Sequence, residues 1–204
     1  MCIRDRGYLS GIVRRVDEQY YTDEWAKCCL LLYKKELLQK PPLCLQRLFF
    51  RHPDKMKMFL EENPSRSFDV ENDYYLPEEA YQDKRAFDCW AECLYEEFPE
   101  ILGYIMGKSC NGKDGAFPHE FIREFLEKQQ NEKLTKAVFY GKFNSRGARI
   151  VQDGRTLYEQ AKCYRAQARE LRLKFPQSAK ILLQLAKWME SEAQHDQLEA
   201  EIVP

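Results

Sequence analysis

Apolar residues recur along this chain in steps of three and four, and the clearest run fills the last quarter. Over 153–201, Leu157, Ala161, Tyr164, Ala168, Leu171 and Phe175 form one set, and Ala179, Leu182, Ala186, Met189 and Ala193 form a second. Each set falls on one face of a helix, because a turn takes between three and four residues. Pro176 separates the two, and a proline pushes the residue before it out of the α region. The pattern therefore predicts a long antiparallel αα-hairpin whose apolar seam requires cover.

The same periodicity predicts shorter helices upstream. Thr22 is a good N-cap, and Asp23 and Glu24 follow where the helix dipole favours them. That helix is expected over 23–39, burying Trp25, Cys28, Cys29, Leu32 and Leu37, and Pro41-Pro42 stops it. A short helix over 10–19 would carry Ile12, Val13 and Val16. Segments 43–50 and 54–62 read as two more, and 63–76 as a loop pinned by Phe68, Tyr74 and Tyr75. A helix is expected over 77–97, a short one after Phe98-Pro99, a glycine-bearing loop over 107–117, and a helix from Pro118 carrying Phe121, Ile122, Phe125 and Leu126. Over 137–152 the period fails. Ala137-Val138-Phe139-Tyr140 and Arg149-Ile150-Val151-Gln152 suggest a minor β-hairpin around Asn144-Ser145-Arg146-Gly147, or a linker.

The fold class is thus all-α, a multi-helix bundle or short helical array ending in the long hairpin. Its expected organisation is a helical domain over 7–136, a linker or small hairpin over 137–152, and the αα-hairpin over 153–201 packed on the helical domain. Met1-Cys2-Ile3-Arg4-Asp5-Arg6 reads as the translation of a transposase end sequence from DNA library preparation and is set aside. On that reading the natural chain begins upstream, where a further segment would lie.

Three junctions share a pattern. Leu48, Leu94 and Leu171 each stand four residues before a ring residue (His52, Phe98, Phe175) that precedes a proline. Apolar residues follow each proline at three, six and seven positions. A helix must end before each proline, and proline opens the next one without losing a needed N–H. The prolines are unequally spaced, so ordinary helix-proline-helix corners are the favoured reading over a repeat array.

Composition narrows the function classes. The net charge of −1 argues against a dedicated nucleic-acid coat. No apolar run approaches the roughly 20 residues that span a bilayer, so no membrane partner is expected. Beyond Cys2, seven cysteines remain, an odd number that includes an adjacent pair. They are read as reduced, small core residues of a cytoplasmic protein.

Each candidate for chemistry is incomplete. Glu192-x-x-His195 has the spacing of helical di-iron sites, but those need a second such motif and further glutamates. His119-Glu120-Phe121-Ile122-Arg123 carries arginine where a zinc-protease motif requires histidine, and Glu120 and Glu124 are expected on a wet face. Cys89 and Cys93 are one turn apart and are expected in the core. Asp88, Glu92 and Glu96 form a solvated stripe. Gly107-Lys108-Ser109 lacks the upstream glycine and strand of a phosphate loop. The sequence assigns no catalytic, metal or cofactor-binding residue.

Charge is segregated along the chain. Residues 133–174 hold eleven basic against three acidic residues, a net of +8, while 61–100 hold thirteen acidic against three basic, a net of −10. Arg155, Lys162 and Arg169 recur every seven residues, flanked by Arg165 and Arg172, as a basic strip beside the seam. The leading expectation is a non-enzymatic protein-interaction or scaffold module with a protein partner or self-association. The alternatives are nucleic-acid binding through that strip, and an enzyme whose active site lies in upstream sequence.

Overall fold

The computed structural model describes residues 12–13, 22–38, 40–64, 73–145 and 155–202. Among them the regular structure is helical, with no strand. The chain divides into two compact units, Met1–Ile105 and Met106–Pro204. Residues 106–136 therefore go with the terminal hairpin rather than with the helices before them.

The first unit contains α1 (Asp23–Lys34), α2 (Leu43–Arg51), α3 (Pro53–Glu62), a 3₁₀ turn (Glu78–Tyr81) and α4 (Lys84–Tyr95), followed by most of α5 (Pro99–Gly107). Thr22 caps α1 as expected, accepting the Trp25 N–H at 3.1 Å. The helix stops at Lys34, five residues earlier than its apolar spacing suggests, and Glu36 takes a left-handed φ of 57°. Ala26, Cys29 and Tyr33 face inward, while Trp25, Leu32 and Leu37 are half-buried and Cys28 is exposed. An aromatic core joins the elements: Tyr33 and Phe49 each lie 5.5 Å from Phe59, and Phe50 lies 6.3 Å from Trp90. Tyr74 is buried and donates its hydroxyl to the Gln46 carbonyl at 2.9 Å, whereas Tyr75 is exposed. Phe68 and most of the expected 10–19 helix lie outside the described residues.

The expected 77–97 helix is interrupted. A 3₁₀ turn ends at Tyr81, and Asp83 starts α4 afresh by accepting the Arg85 and Ala86 N–H groups at 2.9 and 3.1 Å. Aspartate at an N-cap satisfies donors that a continuous helix would have used internally.

The second unit holds the end of α5, α6 (Glu120–Gln129), α7 (Glu132–Asn144), α8 (Arg155–Leu171) and α9 (Pro176–Ile202). Residues 137–144, expected in a minor β-hairpin or linker, are helical. Asn131 caps α7 through the N–H groups of Lys133 and Leu134 at 2.9 and 3.2 Å. Leu134, Ala137, Val138 and Gly141 then face inward at helical spacing. Burial outweighs the strand preference of Val138, Phe139 and Tyr140. Residues 149–152 lie outside the described residues. Gly107 permits a close crossing with α7, since a Cβ there would stand 2.3 Å from the Val138 carbonyl oxygen.

All three proline corners form, each closed by the same hydrogen bond. His52, Phe98 and Phe175 donate their N–H groups to Leu48, Leu94 and Leu171 at 2.9, 2.8 and 2.7 Å. In the last corner α8 and α9 pack as the predicted hairpin. Every seam residue is buried except Tyr164, which is half-buried. α9 also buries a second row, Ser178, Ile181 and Leu185, and its Trp188 meets Phe143 of α7 edge-on at 4.5 Å. α9 is thus covered by α8 on one side and by α6 and α7 on another.

Candidate interaction surface

The hairpin turn is built from the inside outward. Lys174 and Phe175 both donate N–H groups to the Leu171 carbonyl, at 3.1 and 2.7 Å. Pro176 opens α9, and Glu127 of α6 accepts the next two N–H groups, those of Gln177 and Ser178, at 2.8 and 3.2 Å. A carboxylate from a neighbouring helix therefore does the work of an N-cap. Burial pushes the Glu127 carboxyl up, against these two hydrogen bonds, which hold it down.

Phe175 is buried beneath this corner, with the Arg123 guanidinium 5.2 Å from its ring centre. Arg123 is itself only 1% exposed. Two of its nitrogens bond Asp114 at 2.7 and 2.8 Å, and the carboxylate of Glu120 stands 4.0 Å away. This pairing holds the Asp114 carboxyl below the usual carboxylate range. Gly112 lies so close over the guanidinium that a Cβ there would come within 2.5 Å of it. Gln167 of α8 completes the attachment, donating to the Gly115 carbonyl and accepting the Phe117 N–H, both at 3.3 Å. The 108–118 loop is thereby fastened to α6 and α8.

His119, in the same cluster, is buried and serves as the N-cap of α6, accepting the Phe121 N–H through Nδ1 at 3.4 Å. Burial lowers its pKa first, which favours the neutral ring that can accept. Burial opposes ionisation of Glu120, but backbone N–H groups, including that of Lys113, and the Arg123 guanidinium hold it below the usual range. Glu120 is half-buried rather than on the wet face, and Glu124 is exposed.

The five basic residues singled out by sequence all lie on α8 or just beyond it, and they differ in what they touch. Arg165 is engaged by Glu190 of α9 through two bonds of 2.7 and 2.6 Å. Lys162 reaches Glu159 at 2.6 Å on the same helix. Arg155, Arg169 and Arg172 are exposed, and neither Arg169 nor Arg172 makes an ion pair among the described residues. Between Arg172 and Lys174 stands Leu173, 88% exposed. The strip is thus partly neutralised in its middle and open at the turn. Sequence periodicity did not single out Leu173, because it belongs to neither apolar set.

The expectation that the cysteines are core residues holds for Cys29 and Cys44 only. Cys28, Cys89, Cys110 and Cys163 are exposed and Cys93 is half-buried, all with free thiols. On α4 the buried arc is Phe87, Trp90, Ala91 and Leu94, which at about 100° per residue turns Cys89 to the opposite side. Burial pushes the thiols of Cys93 and Cys110 up, away from the nucleophilic thiolate. Among the described residues no three His, Cys, Asp or Glu side chains converge to hold a metal ion, and no helix is long and apolar enough to cross a membrane. No protein-family model, no curated protein and no solved structure matches this chain.

Proposed function

We propose that this chain is a non-enzymatic protein-interaction module whose recognition element is the turn of the terminal hairpin. Leu173 carries the reading. A leucine that is 88% exposed, on a turn fastened by backbone hydrogen bonds and by a buried phenylalanine, leaves apolar surface to water at a defined position. Burying such a side chain is worth roughly 1.5–3 kcal/mol. A cytoplasmic setting fits the same reading, since the seven described cysteines are free and four of them are exposed.

Nucleic-acid binding along Arg155, Lys162, Arg165, Arg169 and Arg172 is the second reading. It is favoured by the shared outer face of Arg155, Lys162 and Arg169, all exposed. The pairing of Arg165 with Glu190 and of Lys162 with Glu159 weighs against it.

A photoreactive phenylalanine analogue placed at position 173, or at exposed Gln184 as a control, tests the interaction reading in an extract of the source cells. Discrete protein adducts are expected at position 173 alone, and they should disappear when Arg169→Glu and Arg172→Glu are added. Equal labelling at both positions, or none at 173, contradicts the reading.

A further inference from the structure

Resting on that reading, we propose that the hairpin turn docks an acidic protein segment that presents an apolar side chain among its carboxylates. Residues 169–174 contain Arg169, Arg172 and Lys174 against Glu170 alone, so the turn carries a local net charge of +2. Arg169 stands in the last turn of α8 and Arg172 is the first residue beyond it, at the start of the turn that carries Leu173. Both are exposed and make no ion pair among the described residues. Guanidinium groups in that condition can each take a carboxylate in a two-pronged bond. Lys174 lies back over the Phe175 ring, 5.0 Å from its centre, which keeps its charge beside the turn.

Leu173 decides the class of partner. A phosphate backbone offers a protruding leucine no apolar seat, and the cations that would extend a phosphate track up α8 are engaged by Glu159 and Glu190. An acidic segment carrying an apolar residue satisfies both the cations and the leucine at once. Charge then governs encounter, and burial of Leu173 governs how long the complex lasts.

The test is fluorescence anisotropy of three labelled probes of equal length against the whole chain: an amphipathic Glu/Leu peptide, a polyglutamate peptide and a single-stranded DNA. The Glu/Leu peptide should bind about tenfold more tightly than polyglutamate, the worth of one buried leucine. Leu173→Ser should abolish that difference without changing the melting temperature. Arg169→Glu with Arg172→Glu should weaken both peptides by about tenfold or more. DNA binding as tight as the Glu/Leu peptide, or a preference unaffected by Leu173→Ser, overturns the inference. If position 173 crosslinks in a charge-dependent way but neither peptide binds, this inference fails while the interaction module stands. If crosslinking fails as well, both fail.

Discussion

Arg123 is the residue on which the second unit's polar interior turns. Its guanidinium is almost wholly buried, whereas Asp114 keeps about half its side chain in water, at 51% exposed. Removing Asp114 therefore leaves a buried cation with its nearest remaining carboxylate 4.0 Å away. Asp114→Ala should cost about 1–3 kcal/mol in chemical denaturation, the usual range for a buried polar group left unsatisfied. The pH dependence follows from the same contact. Because Asp114 is held below its ordinary range in the folded chain, its contribution is present above the unfolded-state value of about 3.9 and is lost as pH falls through the lower folded-state value. Melting curves recorded downward from neutral pH should show this loss in the wild type, and Asp114→Asn should lack that component. The sequence could not announce this role. Arginine at position 123 first stood out as the wrong residue for a metal motif, and nothing in its spacing says that it is buried. Leu173 was hidden for the opposite reason, being an apolar residue outside any apolar period.

At the scale of elements, proline and capping chemistry were the legible part. Each of the corners at His52-Pro53, Phe98-Pro99 and Phe175-Pro176 ends one helix and starts another where the sequence placed them. The seam of the hairpin was legible too, since its spacing alone selected the buried face. The second buried row of α9, Ser178, Ile181 and Leu185, was not assigned, because only contact with α6 and α7 distinguishes it from a solvent face. The strand-prone residues Val138 to Tyr140 failed as predictors because the Asn131 cap and burial of Val138 outweigh propensity. The break before α4 was missed because a 3₁₀ turn shares the helix's residue preferences.

The α8–α9 corner rests on the buried ring of Phe175 and on the Glu127 carboxylate that caps α9. Phe175→Ala should cost about 3–5 kcal/mol, seen as a lowered melting temperature, through loss of a buried ring. Glu127→Ala should cost about 0.5–2 kcal/mol, as removal of a helix cap does. Glu127→Gln should be close to neutral, because it keeps an acceptor oxygen for Gln177 and Ser178 and removes a buried charge. Burial raises the Glu127 pKa in the folded chain, so its ionisation subtracts stability as pH rises from the unfolded-state value toward the folded-state value.

Across the whole molecule, charge is sorted by segment while the total stays near zero. The acidic stretch, 61–100, belongs to the first unit and the basic stretch, 133–174, to the second. Many of these charges are spent on surface pairs such as Lys34–Glu62, Lys57–Glu97 and Lys162–Glu159. Exposed pairs contribute about 0–1 kcal/mol each and are screened by salt. The stability of the chain should therefore rest on its two apolar interiors, and its melting temperature should change little when salt is raised tenfold. Peptide binding at the hairpin turn should weaken over the same range. At that turn Arg169 and Arg172, which make no ion pair among the described residues, flank an apolar side chain that is 88% exposed.

That division of labour is tested most directly on one variant, Leu173→Ser, by measuring its melting temperature and its affinity for the Glu/Leu peptide in the same preparation. An unchanged melting temperature is expected, within about 0.5 kcal/mol of wild-type stability as for other exposed positions, together with affinity about tenfold weaker. A fall in melting temperature, or an affinity equal to that of the wild type, would contradict it.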